Sequence, residues 1–368
     1  MDKPKRIAFD AKRAFANARG LGNYSRDTIR LLSAYASQNE YFYCGIPSAR
    51  FSPQFGTTIS PQGMWRYFPD LWRMRGCLTS LQQYHVDIYH GLSGELPIGI
   101  HRTGIQTIVT MHDAIFMRYP ELYSIGYRHL FANKVRYACA HADVIIAISE
   151  QTKRDIITYF HADERKIRVV YQGCNNQFRK PISKEEVQAV RSKYCLPDQY
   201  LLYVGALERR KNLYNLQLAM ESAHIDVPLV YVGAPSKYGE TLRQLSIQCH
   251  QEIYFLHGIP FTDFPALYKG AEVFVYPSVF EGFGIPILEA MCVGTPVLTS
   301  TGSCFEETGG RGALYADPND VEAIGKQLAM MLADSSLRKQ MIQEGYKQSE
   351  KFTDDEVARH LLEIYDTL

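Results

Sequence analysis

The sequence "VFEGFGIPILEAMCVGTPVL" spans residues 279–298 and directly follows the apolar run "AEVFVYPS". That run is typical of a buried β-strand, and Gly282 and Gly284 indicate a tight loop in which the backbone can approach a ligand. Pro286 and Gly294 delimit a helix, since proline is tolerated in a first helical turn and glycine favours the cap after the last turn. The stretch therefore predicts a strand, a glycine-rich loop and a helix in succession.

The same alternation of strands and helices extends along most of the chain. Apolar runs rich in Val, Ile and Tyr, without strict polar alternation, are typical of parallel strands buried on both faces. The predicted fold class is therefore α/β, with doubly wound parallel sheets. The predicted strands are 6–12, 41–46, 86–92, 105–113, 143–149, 166–173, 200–207, 228–234, 253–259, 273–278 and 296–300. The predicted helices of the first half are 22–37, 70–84, 124–142 and 149–160, the last with Ser149 as its N-cap.

The chain is too long for one ordinary core, and a polar stretch divides the two series of strands. This stretch, "CNNQFRKPISKEE" at 174–186, is typical of a linker. We expect one Rossmann-like domain over residues 1–178 and a second over 179–352. Ligands of such sheets bind beyond the carboxyl ends of the strands, so the two domains should face each other across a ligand-binding cleft.

Composition excludes several classes of protein. The net charge is +1, from 40 basic and 39 acidic residues, so no global field favours a nucleic-acid partner. No apolar run approaches the roughly 20 residues of a membrane span, and the charged N-terminus is unlike a signal peptide. The eight cysteines form no C-x-x-C pair, which favours reduced thiols. We expect a cytoplasmic protein, with at most peripheral contact at the inner face of a membrane.

Glu281 and Glu289 flank the glycine-rich loop. A carboxylate accepts two hydrogen bonds in a fork, which suits the vicinal hydroxyls of a sugar. The loop amides and the helix N-terminus suit a phosphate. One glutamate would hold a hexose and the other a ribose, with a diphosphate between them. A solvated loop glutamate and an ordinary helix glutamate are the simpler alternative, which the strand–loop–helix context disfavours.

A cationic motif, "VGALERRKN" at 204–212, also follows a predicted strand. Arg210 and Lys211 are the candidates for stabilising a diphosphate, with Arg209 turned outward. Taken alone, the motif is equally consistent with a solvated basic turn. No acidic cluster with metal-ligand spacing follows a strand, so we expect no metal and no cofactor besides a nucleotide-sugar co-substrate.

Two glycines in the first half, Gly20 and Gly22, lie in "ARGLGNYSR" at 18–26, which predicts a turn into a helix. They could face a phosphate or an acceptor, and a purely structural turn is the equal alternative. The motif lacks the full G-x-G-x-x-G pattern, so it supports NAD binding only weakly.

Further residues are predicted to border the cleft. His112 and Asp113 follow a predicted strand in "VTMHDAIF". A lone histidine is more often structural, but at this position a hydrogen bond to a ligand is at least as well supported. Ser149 and Glu307 belong to segments that should lie at the cleft, Glu307 in a loop. The helix at 123–137 mixes aromatic and basic residues and could meet a membrane or a lipid-linked acceptor, although a half-buried helix with a solvated face explains it more simply.

These motifs resemble those of the retaining, nucleotide-sugar-dependent glycosyltransferases of family 4, which have the two-domain GT-B fold. The strongest element is the E-x7-E signature, here "EGFGIPILE" from Glu281 to Glu289. The supporting matches, which extend the resemblance over nearly the whole chain, are "GALERRKN", "MHD" at 111–113, "AISEQTKRDI" at 147–156 and the Glu307 loop. The set is similar to that of bacterial polysaccharide and O-antigen mannosyltransferases.

The resemblance implies roles for individual residues. Glu281 would contact the donor hexose, Glu289 the ribose hydroxyls, Arg210 and Lys211 the diphosphate, and His112 the transferred sugar. Further donor-binding residues would be Gly22, Gly205, Gly282, Phe283, Gly284 and Ile285. The N-terminal domain would bind the acceptor and the C-terminal domain the nucleotide sugar, and a helix within 353–368 would pack back on the N-terminal domain.

The implied reaction moves a hexose to a saccharide or lipid-linked saccharide acceptor. Mannose from GDP-mannose is the best candidate, with a UDP-linked sugar as the alternative. Because Glu281 is implied to bind hydroxyls, it is a poor candidate for the nucleophile of a double displacement. A metal-independent front-face substitution is therefore expected.

Three other functions remain open from the sequence. They are a nucleotide-sugar epimerase of the same architecture, a non-catalytic nucleotide-sugar-binding protein and, more remotely, an NAD-dependent oxidoreductase. The E-x7-E loop and the RRKN motif favour glycosyl transfer over epimerisation.

Overall fold

Two units make up the chain. The computed structural model of the protein describes residues 4–17, 20–49, 51, 53 and 55–368. The first unit is Met1–Gln172 together with Asp354–Leu368, and the second is Gly173–Thr353. Residues 173–178 thus belong to the second unit, where the Phe178 ring packs 5.8 Å from the Tyr268 ring.

Each unit is built on a parallel sheet. The strands are β1 (Arg6–Asp10), β2 (Glu40–Cys44), β3 (Thr57–Ile59), β4 (Ile88–Gly91), β5 (Gln106–Met111), β6 (Val144–Ala147), β7 (Ile167–Val169), β8 (Leu201–Val204), β9 (Leu229–Val232), β10 (Ile253–Leu256), β11 (Val273–Tyr276), β12 (Val297–Ser300) and β13 (Ala313–Ala316). Among the described residues, the first sheet has the order β3-β2-β1-β4-β5-β6-β7 and the second the order β10-β9-β8-β11-β12-β13. Within each sheet all neighbouring strands of these orders pair in parallel, which confirms the predicted fold class.

Helices connect the strands. The helices are α1 (Lys12–Ala16), α2 (Gly20–Tyr35), α3 (Pro69–Leu71), α4 (Cys77–Gln83), α5 (Ile115–Arg118), α6 (Ile125–His141), α7 (Glu150–Phe160), α8 (Lys184–Lys193), α9 (Leu213–Ser222), α10 (Lys237–Gln248), α11 (Phe264–Gly270), α12 (Ile285–Val293), α13 (Phe305–Gly309), α14 (Val321–Ala333), α15 (Ser335–Ser349) and α16 (Asp354–Asp366). A π-helical turn, Trp72–Gly76, joins α3 to α4.

The side chains of the interior strands are mostly buried, as their composition predicts. In β1, Ile7 and Phe9 belong to one cluster of buried apolar side chains, and Ala8 between them belongs to another. Successive side chains of a strand point to opposite faces of the sheet, so this division places apolar layers on both sides of β1. All eight cysteines are free, as expected.

The sequence analysis missed two strands, β3 and β13. Both lie at an edge of their sheet and pair with a single neighbour. The segment of β3 is only three residues long, and β13 reads ALYA, with two alanines and partly exposed Leu314 and Tyr315. Neither provides the apolar run that predicted the other strands, including the edge strands β7 and β10.

The last helix, α16, packs on the first unit. Val357, Leu361 and Tyr365 enter the apolar cluster that contains Phe9. The Tyr365 hydroxyl lies 2.6 Å from Nδ1 of the buried His90, and Arg30 forms a salt bridge with Asp354 at 2.8 Å. The amphipathic character of the segment explains this docking, since one stripe of the helix is apolar.

Candidate functional site

The predicted strand–loop–helix unit is present between β11 and α12. Gly284 caps the N-terminus of α12 with a φ of 96°, and Gly294 follows its last residue with a φ of 77°. Both angles lie in the left-handed region, which explains the glycines. Phe283 is buried, and its carbonyl accepts a hydrogen bond from the Thr308 hydroxyl at 2.5 Å. These contacts fix the conformation of the loop, and α12 begins directly after it.

Glu281 is a buried carboxylate that two cations share. One oxygen, Oε1, lies 2.5 Å from Lys211 Nζ and 2.8 Å from Arg210 Nη1, and only 9% of the residue is exposed. Burial by itself raises the pKa of Glu281, but the charges of Lys211 and Arg210 outweigh burial and lower the pKa to about 2. Glu281 is therefore ionised at neutral pH and acts as a hydrogen-bond acceptor, not as an acid.

Both cations belong to one 3₁₀ turn, Arg209–Lys211, after β8. Arg210 also forms a salt bridge with Glu208 at 2.8 Å and donates a hydrogen bond to the Phe280 carbonyl. Lys211 Nζ donates to the Tyr276 hydroxyl at 3.0 Å. The buried Glu281 and the half-exposed Glu208 therefore balance the two cations in formal charge, and the two cations remain the groups of the cluster that can bind an anion.

Strand order explains why these segments meet. β8 lies in the middle of its sheet, between β9 and β11, so the chain runs to one side through β9 and later to the other side through β11. At such a switch point the loops after neighbouring parallel strands diverge and leave a crevice for a ligand. The turn after β8 and the loop after β11 flank this crevice, and Val279 N donates to the Arg210 carbonyl across it at 2.9 Å.

Glu289 lies in a different environment from Glu281. It is partly buried on α12, and its Oε2 accepts a hydrogen bond from the Tyr268 hydroxyl at 2.8 Å. Burial raises the pKa of Glu289 to about 7, because no cation among the described residues outweighs the cost of desolvation. The two glutamates of the motif therefore differ in charge behaviour despite their common side chain.

The other predicted residues of the second unit have structural contacts. Gly205 follows β8, and a Cβ there would lie 2.6 Å from the Tyr203 hydroxyl. Gly282 and Ile285 lie in the loop and at the first position of α12. The expectation of a loop at Glu307 was wrong, because it lies in the short helix α13, where its carbonyl accepts from Gln348 at 2.9 Å.

The sequence analysis missed Ser303. Its hydroxyl donates to the Glu281 carbonyl at 2.8 Å and accepts from the Glu281 amide at 3.1 Å, so it fixes the backbone of Glu281. The only sequence signal was a Gly-Ser pair after the strand β12, where Gly302 and Ser303 both have positive φ.

His112 directly follows β5 in the first unit, as predicted. Its Nε2 donates to the Leu92 carbonyl at 2.8 Å, and the Tyr24 ring meets it edge-on at 4.6 Å. Burial lowers the pKa of His112 to about 4, so the ring is neutral at pH 7. With the proton on Nε2, Nδ1 is a hydrogen-bond acceptor. Asp113 Oδ1 accepts from the Ile115 amide at 3.0 Å and supports the start of α5.

The remaining predicted residues of the first unit are at helix termini. The helix predicted over 22–37 is present, but α2 begins at Gly20, so Gly20 lies in the helix and not in a turn before it. A Cβ on Gly22 would lie 1.9 Å from the Asn17 carbonyl oxygen, so only glycine permits this approach. Residues 18–19 of the predicted turn lie outside the described residues. Ser149 caps α7, as predicted, and accepts from the Thr152 amide at 3.0 Å.

Two classes of feature were searched for in the described part of the chain. No group of three or more His, Cys, Asp or Glu side chains there could hold a metal ion. No helix among those residues is long and apolar enough to span a membrane.

Comparisons with known proteins give a consistent result. A family model described as "Glycosyltransferase Family 4" matches residues 20–178, and one described as "Glycosyl transferases group 1" matches residues 189–348. O-antigen chain mannosyltransferase B of Escherichia coli is 32% identical over 296 residues, which cover 78% of this chain and 76% of that protein. O-antigen chain mannosyltransferase RfbU of Salmonella typhimurium is 31% identical over 58% of this chain and 57% of that protein.

Solved structures share the fold. The structure of Anabaena HepE in complex with UDP-glucose superposes with a TM-score of 0.78 and 16% identity, over 98% of this chain and 99% of that chain. A glycosyltransferase from Rickettsia africae gives a TM-score of 0.77 and 17% identity, over 100% of this chain and 99% of that chain. At these identities the likeness shows the GT-B fold alone.

Replacing Glu281 by Gln should destabilise the second unit. The change leaves Arg210 and Lys211 without their shared carboxylate, and breaking a buried ion pair in this way costs about 3 kcal/mol or more of unfolding free energy. Denaturant unfolding monitored by circular dichroism measures the loss.

The same interaction should make the stability of the wild type depend on pH. The pKa of Glu281 is about 2 in the folded protein and 4.5 ordinarily, so the ionised carboxylate contributes its full stabilisation above pH 4.5. That contribution to the free energy of unfolding should be lost as the pH falls from 4.5 to 2.

Glu208→Gln is the matched control for this prediction. Glu208 also pairs with Arg210, but 48% of its side chain is exposed, so its loss should cost less than about 1 kcal/mol. Equal stability of the Glu281→Gln variant and the wild type would show that the shared carboxylate is not needed to compensate the cations.

Proposed function

This chain belongs to the glycosyltransferases described by the group 1 and family 4 models, and on that premise we propose that it transfers mannose from GDP-mannose, with retention of anomeric configuration. The proposed acceptor is a saccharide or a lipid-linked saccharide, as suits the O-antigen chain mannosyltransferases to which the chain is similar. The observation that carries the proposal is the Arg210–Glu281–Lys211 cluster at the switch point of the second sheet. The two cations of this cluster can bind an anion, and its carboxylate can accept hydrogen bonds from sugar hydroxyls.

The cluster supports metal-independent binding of a diphosphate. Arg210 and Lys211 supply positive charge where other enzymes use a divalent cation, and the N-terminus of α12 adds the positive end of a helix dipole nearby. Glu281 holds both cations in place before the donor arrives, so little reorganisation is needed when charge develops on the leaving group. Its carboxylate can then also accept hydrogen bonds from donor hydroxyls.

The charge states support a front-face substitution. The bond between the anomeric carbon and the diphosphate oxygen breaks, and the acceptor oxygen bonds to that carbon from the same face. The departing phosphate oxygen accepts the acceptor's hydroxyl proton. Glu281 has no proton to give at neutral pH, and the Nε2 proton of His112 is engaged by the Leu92 carbonyl. His112 Nδ1 is therefore assigned to accept a hydroxyl of the transferred sugar.

A nucleotide panel tests the donor. We expect GDP and GDP-mannose to raise the melting temperature more than UDP, ADP or their sugars. Ligand binding stabilises the folded state in proportion to the logarithm of the ratio of ligand concentration to Kd.

Lys211→Ala tests the role of the cations. In a radiolabelled transfer assay this variant should lower turnover by about 10²-fold or more, which is the scale of losing one electrostatic donor.

Arg209→Ala is the matched control for Lys211→Ala. Arg209 belongs to the same turn but is exposed and makes no contact with Glu281, so turnover should stay within about threefold of wild type. Wild-type turnover in the Lys211→Ala variant would exclude the assignment of Lys211 to the diphosphate.

Two other outcomes would identify the alternative functions. Formation of an epimeric nucleotide sugar without acceptor would identify an epimerase, and binding of the nucleotide sugar without transfer would identify a non-catalytic protein.

Glu289 should make nucleotide affinity depend on pH. We assign its carboxylate to the ribose hydroxyls, and only the ionised form offers two acceptors. With a pKa of about 7, the ionised fraction rises from about a tenth at pH 6 to about nine tenths at pH 8. Affinity for GDP should therefore rise about tenfold over this range in calorimetric titrations.

Glu289→Gln removes the ionisation and keeps the side-chain shape. Its affinity for GDP should be nearly independent of pH between 6 and 8, apart from the titration of the nucleotide itself. Glu208→Gln is the control, because it keeps Glu289 and should retain the wild-type pH dependence. The same pH dependence in Glu289→Gln as in wild type would contradict the role of Glu289.

We also propose peripheral contact with an anionic membrane through α6. Ile125 and Leu130 on this helix are 67% and 61% exposed, and Tyr127 is 49% exposed. Arg136 is exposed on the same helix. Exposed apolar side chains and an exposed cation on one helix favour the interface of an anionic bilayer, since the apolar groups enter the headgroup region and the cation meets lipid phosphates.

Replacing Ile125 and Leu130 together by Ser should lower the fraction of protein that sediments with phosphatidylglycerol vesicles by about tenfold. Ile247→Ser is the control, because Ile247 is 70% exposed but lies on α10 of the second unit. An equal loss in both variants, or no sedimentation of the wild type, would exclude the α6 surface as the contact.

A further inference from the structure

Arg209 lines a pocket that the proposed transfer reaction does not use. The pocket has a volume of about 550 Å³ and lies between the turn after β8 and the start of α10. Its lining residues are Arg209, Asn212, Tyr214, Lys237, Tyr238 and Thr241. The volume falls within the roughly 300–1,000 Å³ of small-molecule sites, so the pocket can hold a ligand of the size of a sugar phosphate.

The pocket carries uncompensated positive charge. Arg209 and Lys237 both line it, and none of the described lining residues carries a carboxylate. Among the described residues neither side chain has an ion pair or a hydrogen bond, whereas Arg210 and Lys211 are both paired with Glu281. Two cations in one concave site repel each other, and an anion between them relieves this repulsion and gains charge-assisted hydrogen bonds.

Tyr238 adds a hydrogen-bond donor to the same pocket. Its hydroxyl oxygen accepts from the Tyr214 amide at 3.1 Å, and its own proton has no acceptor among the described residues. Burial raises the pKa of Tyr238, so the hydroxyl keeps this proton at neutral pH. Tyr214, which is 40% exposed, offers an aromatic surface on which a ligand ring can pack.

We propose that this pocket binds a phosphate monoester carried on a hydroxylated ring, at a site separate from the donor diphosphate. Arg209, Lys237 and the Tyr238 hydroxyl hold the phosphate, and the Tyr214 ring contacts the sugar. A phosphate monoester carries close to two negative charges at neutral pH, which matches the two unpaired cations. Sugar phosphates and nucleoside monophosphates share this chemistry.

Isothermal titration in phosphate-free buffer tests the site with three probes: glucose 6-phosphate, AMP and inorganic phosphate. The wild type should bind at least one ester more tightly than inorganic phosphate. The double variant Arg209→Ala/Lys237→Ala should bind that ester at least about tenfold more weakly, since each lost charge-assisted bond contributes severalfold in affinity. Tyr238→Phe keeps the ring and removes only the donor, and should weaken binding about threefold or more.

Lys211→Ala separates this site from the donor site. It should retain ester affinity within about threefold while losing affinity for the nucleotide sugar, and the double variant should show the reverse. Arg209 and Lys237 are exposed and unpaired, so the double variant is expected to fold, which circular dichroism checks. The proposal is overturned if no ester binds, if inorganic phosphate binds as tightly as both esters, or if Lys211→Ala loses the ester while the double variant keeps it.

Discussion

The buried carboxylate of Glu281, shared by Arg210 and Lys211, is the interaction on which the candidate site depends. Each of the three side chains is at least 86% covered: the exposed fraction is 12% for Glu281, 14% for Arg210 and 8% for Lys211. A single charge at such a position would lose several kcal/mol of solvation, and mutual attraction offsets this loss only while all three stay together. The turn after β8 and the loop after β11 are therefore constrained to one relative arrangement.

Chain topology creates the place where this cluster forms. In the second sheet the first strand lies in the interior, so the loops after β8 and β11 diverge to opposite sides. The first sheet has the same pattern, with β1 between β2 and β4, and His112 follows β5 beside them. Loops at these points are free of the packing that fills the rest of the sheet edge. They can therefore carry charged side chains that the interior would exclude.

Environment, not residue type, distinguishes the two glutamates of the motif. Glu281 faces two cations and has a pKa of about 2, whereas Glu289 faces the Tyr268 hydroxyl and has a pKa of about 7. The sequence analysis treated them as equivalent forks for hydroxyl groups. Only the packing around α12 shows that one is permanently charged and the other titrates near neutral pH, which gives them different chemistry in a nucleotide-binding site.

The sequence by itself determined the strands of both sheet interiors and the strand–loop–helix unit at Glu281, because these depend on local apolar runs and on glycine and proline conformations. It did not determine the edge strands β3 and β13, the helix at Glu307 or the start of α2 at Gly20, where partial exposure or contacts distant in sequence decide the structure. Only the tertiary structure joined Lys211 to Glu281, which lie 70 residues apart, and turned Arg209 towards a different pocket from its two neighbours. Local patterns show that each loop follows a strand, but which loops share a crevice depends on strand order, and strand order is set by the packing of the whole sheet.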